Sequence, residues 1–200
     1  MTFIMSSLII SSCSNIINAS TNTSKSVTLD STNGISLNIE SYQGFSIDNV
    51  IDSEYGKIHY NIYIPQHYDN AKQYALYITL PGYEGLYRFG VAANLKSEKF
   101  AFEAQIYNEN MIIVAPQLND WGETSARQTI ALTHFLLNHF NIDKTHVFIN
   151  GYSGGGETLS LILTYQPDLF VAALHVASVW DGNFTNVIKA RTPIYFVIRK

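Results

Sequence analysis

Ser153 stands in the run Gly151-Tyr152-Ser153-Gly154-Gly155-Gly156, which fits the G-x-S-x-G pattern that holds a serine hydroxyl out for nucleophilic attack. The flanks give the pattern its weight. Val147-Phe148-Ile149 supplies an apolar strand before the turn, and Thr158-Leu159-Ser160-Leu161 continues into a helix after it. Gly151, Gly155 and Gly156 are the small neighbours that let strand and helix approach closely. The hydroxyl then stands above the carboxyl ends of the strands, where open sheets place their ligands. The following helix N-terminus carries partial positive charge and unpaired N–H groups, which favour developing negative charge. The bland alternative is a glycine-rich turn with an incidental serine.

Other polar residues have plainer readings. Glu157 opens a helix, where the dipole stabilises a carboxylate without catalytic duty. Trp121, in Asp120-Trp121-Gly122 after a buried strand, is either a pocket wall or a ring packed beside a capping aspartate. His134 and His139 are five residues apart on one helix, a spacing that does not put both on one face for a metal. His175 lies inside an apolar strand and suits a core position or one behind the site. No metal set or cofactor motif emerges.

The elements that must position Ser153 alternate. Residues 35–39 and 57–64 read as strands; in the second, Ile58, Tyr60, Ile62 and Ile64 share a face at period two. Nearly continuous apolar runs at 74–80, ending at Pro81-Gly82, and at 111–115, stopped by Pro116, suit strands covered on both faces. A helix is expected over 97–107, with Phe100, Ala104 and Tyr107 on one side. Another starts from a cap at Thr124 or Ser125 and runs to about Phe140. Strand 146–150, helix 157–165, strand 171–177, a short helix at 185–190 and strand 194–198 complete the series. Strands joined through helices predict a three-layer α/β/α sandwich on a mostly parallel sheet. The first two strands, with no helix between them, are expected to be antiparallel at one edge.

The composition excludes other classes. The chain has 200 residues, 46 % of them hydrophobic and 14 % charged, which is enough apolar matter for one real core. With 12 Lys and Arg and a net charge of −4, no basic stripe is available for nucleic acid phosphates. Cys13 is the single cysteine, so an internal disulfide is impossible. It closes the segment Phe3-Ile4-Met5-Ser6-Ser7-Leu8-Ile9-Ile10-Ser11-Ser12, whose apolar part is too short to span a bilayer. Ile10-Ser11-Ser12-Cys13 resembles a bacterial lipobox, although no Lys or Arg precedes it. Residues 1–13 are therefore expected to be a lipoprotein-type signal, with Cys13 lipidated and the protein held at the extracytoplasmic side of a bacterial envelope by a lipid anchor alone. Residues 14–34, rich in Ser, Asn and Thr, read as a flexible tether, and 35–200 as the domain.

The stretch Asn141-Ile142-Asp143-Lys144-Thr145-His146-Val147-Phe148-Ile149-Asn150, the glycine run after it, and Tyr165-Gln166-Pro167-Asp168-Leu169-Phe170-Val171-Ala172-Ala173 together resemble the α/β-hydrolases. The resemblance is to the branch of prolyl-oligopeptidase-like peptidases and polyhydroxybutyrate-depolymerase-like or feruloyl-type esterases, with Thr145 where that branch usually has Arg. It implies an oxyanion hole made by the backbone N–H of Gly154 and a second N–H from the loop Pro81-Gly82-Tyr83-Glu84-Gly85, for which Tyr83 is the candidate; a simple Pro-Gly turn would use the same residues. It also implies an acid and then a histidine after Ser153. No histidine follows His175, and the chain stops at Lys200, near where the acid is expected. Asp181 is an alternative acid. The fold is accordingly expected to lack its final strand and helices, with the triad incomplete.

The function implied is that of a serine hydrolase acting on a small ester or short peptide through an acyl-enzyme, in a parent longer than these 200 residues. The alternatives are a prolyl-oligopeptidase-type peptidase and a non-catalytic cleft-binding module derived from a hydrolase.

Overall fold

The computed structural model describes residues 27–28 and 35–198. Cys13 and the signal segment lie outside the described residues, as does most of the 14–34 stretch. Within that stretch β1 (Val27–Thr28) pairs antiparallel with β2 (Ser36–Leu37), so the tether expected there contains a paired strand.

The remaining strands form one sheet. They are β3 (Ser41–Tyr42), β4 (Phe45–Ser53), β5 (Gly56–Tyr63), β6 (Tyr74–Leu80), β7 (Met111–Pro116), β8 (Ile142–Tyr152), β9 (Ala172–Val176) and β10 (Ile194–Val197), in the spatial order β10-β9-β8-β6-β7-β5-β4-β3. From β10 to β7 all neighbours are parallel; β7 to β5, β5 to β4 and β4 to β3 are antiparallel. The sheet does have an antiparallel edge, but not the one expected from the strands at 35–39 and 57–64: β2 pairs with β1 in a separate two-stranded sheet, and the antiparallel neighbours of β5 are β7 and β4, a strand the sequence did not suggest. Its sequence Phe-Ser-Ile-Asp-Asn-Val-Ile-Asp-Ser is broken by polar residues, and its pairing with β5 shifts register between Ser46 and Asn49, where Asp48 has φ 54°.

Helices α1 (Ala93–Ser97) and α2 (Phe100–Tyr107) cover one face; α3 (Glu123–His139), α4 (Gly154–Tyr165) and α5 (Phe184–Ala190) cover the other. Period-two alternation builds a core on each side. Leu76, Ile78, Ile112 and Val114 join Leu132, Leu136, Leu159 and Ile162 on the α3–α4 face. Ala75, Ile113 and Ala115 join Leu95 and Ala101 on the α1–α2 face. This is the three-layer sandwich the sequence predicts.

Several boundaries differ from expectation; β8, expected at 146–150, starts already at Ile142 and runs to Tyr152. The helix placed at 97–107 is two pieces, and the side formed by Phe100, Ala104 and Tyr107 is not its buried side: Ala101 is buried and Tyr107 is 88 % exposed. Thr124 and Ser125 do not cap α3. Its cap is Gly122, because Asp120 Oδ1 accepts from both the Gly122 N–H at 3.0 Å and the Ser125 hydroxyl at 2.6 Å, turning the chain into the helix from outside. Helix α4 starts at Gly154 rather than 157, directly after the serine.

A buried amide network ties the two sheet types together. Asn61 Nδ2 on β5 donates to Asn94 Oδ1 on α1 at 2.8 Å, and Asn94 Nδ2 donates to the carbonyls of Ala115 and Pro116 at the end of β7. Gln117 Oε1 accepts from the Ala92 N–H at 3.1 Å. Helix α1 is thereby fixed beside the carboxyl ends of the parallel strands.

Candidate active site

Ser153 joins β8 to α4 at φ 51° and ψ −124°, a conformation that L-residues avoid. Its own N–H donates to the Val176 carbonyl on β9 at 2.9 Å, and its carbonyl accepts from the Gly156 N–H at 2.8 Å. The turn is pinned on both sides, so the strain is held by the sheet and by the first helical turn.

The glycines are required by contact. A Cβ at Gly155 would lie 2.5 Å from the Leu80 carbonyl oxygen and 2.7 Å from that of Pro81, both backbone atoms that cannot swing away. A Cβ at Gly151 would run into the Gly155 carbonyl, and one at Gly156 into Ser178. At Gly154 the space is filled by the indole of Trp121, whose carbonyl accepts from the Thr158 hydroxyl at 2.8 Å. Trp121 thus packs against the elbow while Asp120 organises the helix start. The Trp121 Nε1 atom is buried with no partner among the described residues.

The loop after β6 closes on the serine from the other side. Space at Gly82 is bounded by the Tyr152 ring at 3.1 Å and by Ser153 Cβ at 3.3 Å, measured from where a side chain would begin. Tyr83 then opens a 3-10 turn, Tyr83–Gly85. Tyr83 and Gly154 are each the first residue of a helical turn, a position whose N–H has no acceptor within the turn. The Tyr83 ring is exposed, 6.0 Å from Trp121, with the Arg88 guanidinium 4.6 Å above it.

The comparisons with known proteins agree with this geometry. A thermostable esterase structure matches with a TM-score of 0.61 over 76 % of this chain and 46 % of its own, at 20 % identity. The chain has the α/β-hydrolase fold. Two peptidase structures superpose on it less closely. One is from a study of two prolyl endopeptidases, with a TM-score of 0.51 at 16 % identity, covering 68 % of this chain and 21 % of its own. The other is a post-proline cleaving enzyme from Rickettsia typhi, with a TM-score of 0.53 at 15 % identity, covering 72 % and 23 %. The chain therefore spans less than half the length of each. Residues 117–193 of the chain match the model of the prolyl oligopeptidase family, a segment that holds Trp121, the elbow and Asp181. No curated protein matches the chain.

Ser153 lines a cleft of about 430 Å³ with Glu157, Ala177, Ser178, Val179 and Ile198. Glu157 lines this cleft, and burial and the nearby Asp181 charge raise its carboxyl above its ordinary value. Asp181 is exposed, and its N–H donates to the Ser160 hydroxyl at 3.0 Å. Among the described residues no histidine lines the cleft. His175 lies behind the elbow, as its strand suggests. Its Nε2 is 3.2 Å from the Val179 carbonyl, which can only accept, so Nε2 carries the proton. Burial lowers the His175 pKa and keeps the ring neutral, with Nδ1 buried and without a partner among the described residues.

Sequence reasoning missed Glu98. It follows α1, and its Oε1 accepts from the Gly82 N–H at 2.6 Å. Burial pushes its carboxyl up to about 7 against the opposing effect of that hydrogen bond. Nothing in the local sequence marks it, because its partner lies in a loop 16 residues away.

Proposed function

We propose that this α/β-hydrolase is a serine hydrolase of the acyl-transfer type. Ser153 Oγ attacks the carbonyl carbon of an ester or short peptide, its proton passing through a general base, the histidine that the described cleft residues do not include, to the leaving alcohol or amine as the C–O or C–N bond breaks, and water later releases the acyl group by the same route. The N–H groups of Gly154 and Tyr83 hold the oxyanion, an arrangement in which each donor typically contributes about a hundred- to a thousandfold in rate. The observation that carries the reading is the strained Ser153 backbone, set between two helical-turn N-termini with the Gly82 loop packed against its Cβ. A fluorophosphonate probe tests it: one labelled residue, Ser153, is expected, and Ser153→Ala is expected to abolish labelling and ester hydrolysis with an unchanged circular dichroism spectrum. Persistent labelling of that variant would refute it.

The lack of a histidine in the cleft among the described residues favours a second reading for residues 1–200 alone, a binding module that uses the cleft without turnover. In that case the probe leaves the 200-residue chain unlabelled while ester analogues still bind, and the binding is lost when the cleft is filled by Ser178→Phe.

A further inference from the structure

The loop that carries the Tyr83 N–H is not held by its own sequence. Pro81-Gly82 leaves the sheet, and the turn at Tyr83–Gly85 has no side-chain cap. Two outside contacts fix it. Gly85 is pressed between Pro81 and the Asn94 backbone, where an added Cβ would lie 3.0 Å from Asn94 Cα. The Gly82 N–H is bound by Glu98, at the C-terminal end of the same α1 that the Asn61–Asn94–Gln117 amides anchor.

We propose that Glu98 is a positioning residue for the oxyanion loop: its carboxylate, by accepting the Gly82 N–H, sets the Tyr83 N–H against Ser153. The proposal rests on the serine-hydrolase reading for its effect on rate, but the clamp itself is a property of the fold. Gly82 is the pivot, because it is in contact range of Ser153 Cβ on one side and covalently bonded to Tyr83 on the other. A carboxylate acceptor makes a charge-assisted bond to an amide, roughly twice as strong as a neutral one. Protonation near pH 7 therefore weakens the clamp within the physiological range. The titratable and charged groups on the elements packed around Glu98 are Tyr152, which ends β8 against Gly82, Tyr83 and Glu84 in the loop, Tyr87 and Arg88 in the 3-10 turn Tyr87–Phe89 packed on α1, and Lys96 and Lys99, which flank Glu98 in its own segment. Lys96 is engaged with the Val91 carbonyl at 3.0 Å, and none of the ion pairs found among the described residues involves Glu98.

The experiment uses the full chain and two variants. Glu98→Gln keeps a carbonyl oxygen for the Gly82 N–H and removes the titration; Glu98→Ala removes the acceptor. The first readout needs no activity. The Gly82 amide shifts, followed by heteronuclear NMR from pH 5.5 to 8.5, are expected to titrate with a midpoint near 7 in the wild type and to be flat in Glu98→Gln. The second readout is the rate of fluorophosphonate labelling or ester hydrolysis. Glu98→Ala is expected to lose about tenfold in kcat with KM little changed, less than the loss of a whole oxyanion donor because the N–H is displaced rather than deleted. Glu98→Gln is expected to stay within about threefold at pH 8 and to lose the limb that Glu98 gives the wild-type pH profile near neutrality. Wild-type Gly82 shifts that do not titrate, or Glu98→Ala reacting at the wild-type rate, overturn the proposal. A wild type that never reacts overturns the serine-hydrolase reading and the positioning role with it, while the Gly82 titration still decides the clamp.

Discussion

Replacing Ser153 by glycine should make this protein more stable than replacing it by alanine. The reason is the backbone of the elbow, at φ 51° and ψ −124°. Its mirror image falls in the ordinary extended region, so glycine, which has no handedness, reaches the native angles freely, whereas any L-side chain there is strained. Non-glycine residues in such regions cost about 1–3 kcal/mol. Glycine surrenders about 0.5–1 kcal/mol of that gain through its larger unfolded-state entropy. The difference leaves Ser153→Gly about 1 kcal/mol more stable than Ser153→Ala, with both variants catalytically dead. For a domain of this size that is about 2–4 °C in Tm. Urea unfolding of the two variants, compared at equal m-values, measures it directly, with differential scanning calorimetry as a check. An alanine variant as stable as the glycine variant, or more so, would refute the claim that the serine is held under strain.

Two further outcomes follow from contacts already given. Gly154→Ala drives a Cβ into the Trp121 indole and is expected to destabilise by about 1–3 kcal/mol; combining it with Trp121→Ala should recover part of that loss, and a double mutant with strictly additive costs in urea unfolding would exclude the clash as its cause. Glu98 should make stability pH-dependent in the direction opposite to that of a salt-bridged carboxylate. Its folded pKa is raised from 4.5 to about 7, so the stability it lends at pH 4 is lost as pH rises to 8. The full shift is equivalent to about 3 kcal/mol, and solvent screening of this partly exposed group lowers the expectation to about 2 kcal/mol. The stability of Glu98→Gln relative to wild type should rise by that amount between pH 4 and pH 8 in urea titrations, and a gap independent of pH would show that Glu98 is not held in a raised state.

What could be read from the sequence was what local chemistry writes there. Runs such as Tyr74–Leu80 and Met111–Ala115 are apolar on both faces because helices cover both, and the glycines around Ser153 record the close approach of β8, α4 and the end of β6. Strand β4 escaped because Asp48, Asn49 and Asp52 break its alternation. Asn49 nonetheless is buried, donating to the Ser46 and Tyr60 carbonyls, so a polar side chain replaces the missing ladder bonds at the bulge. The α3 cap was misplaced because Ser125 has the right residue type but spends its hydroxyl on Asp120. Glu98 was beyond reach for a different reason: its role depends on a tertiary hydrogen bond that no periodicity encodes.

The buried amides at Asn61, Asn94 and Gln117 also bear on how the chain avoids folding wrongly. Strands β5 and β7 meet where the antiparallel and parallel parts of the sheet are joined, and β7 is apolar on both faces, so burial alone does little to fix its offset against β5. A slip of one residue would turn Asn61 to the opposite face and strand it in hydrocarbon, far from Asn94. A slip of two would keep the face but carry Asn61 along the sheet away from Asn94 Oδ1, the acceptor of its amide, at about 1–3 kcal/mol for each buried group left unsatisfied. The network thus acts as an error check on strand registration. Incorrect pairings that collapse just as well are penalised by the buried amides they leave unsatisfied.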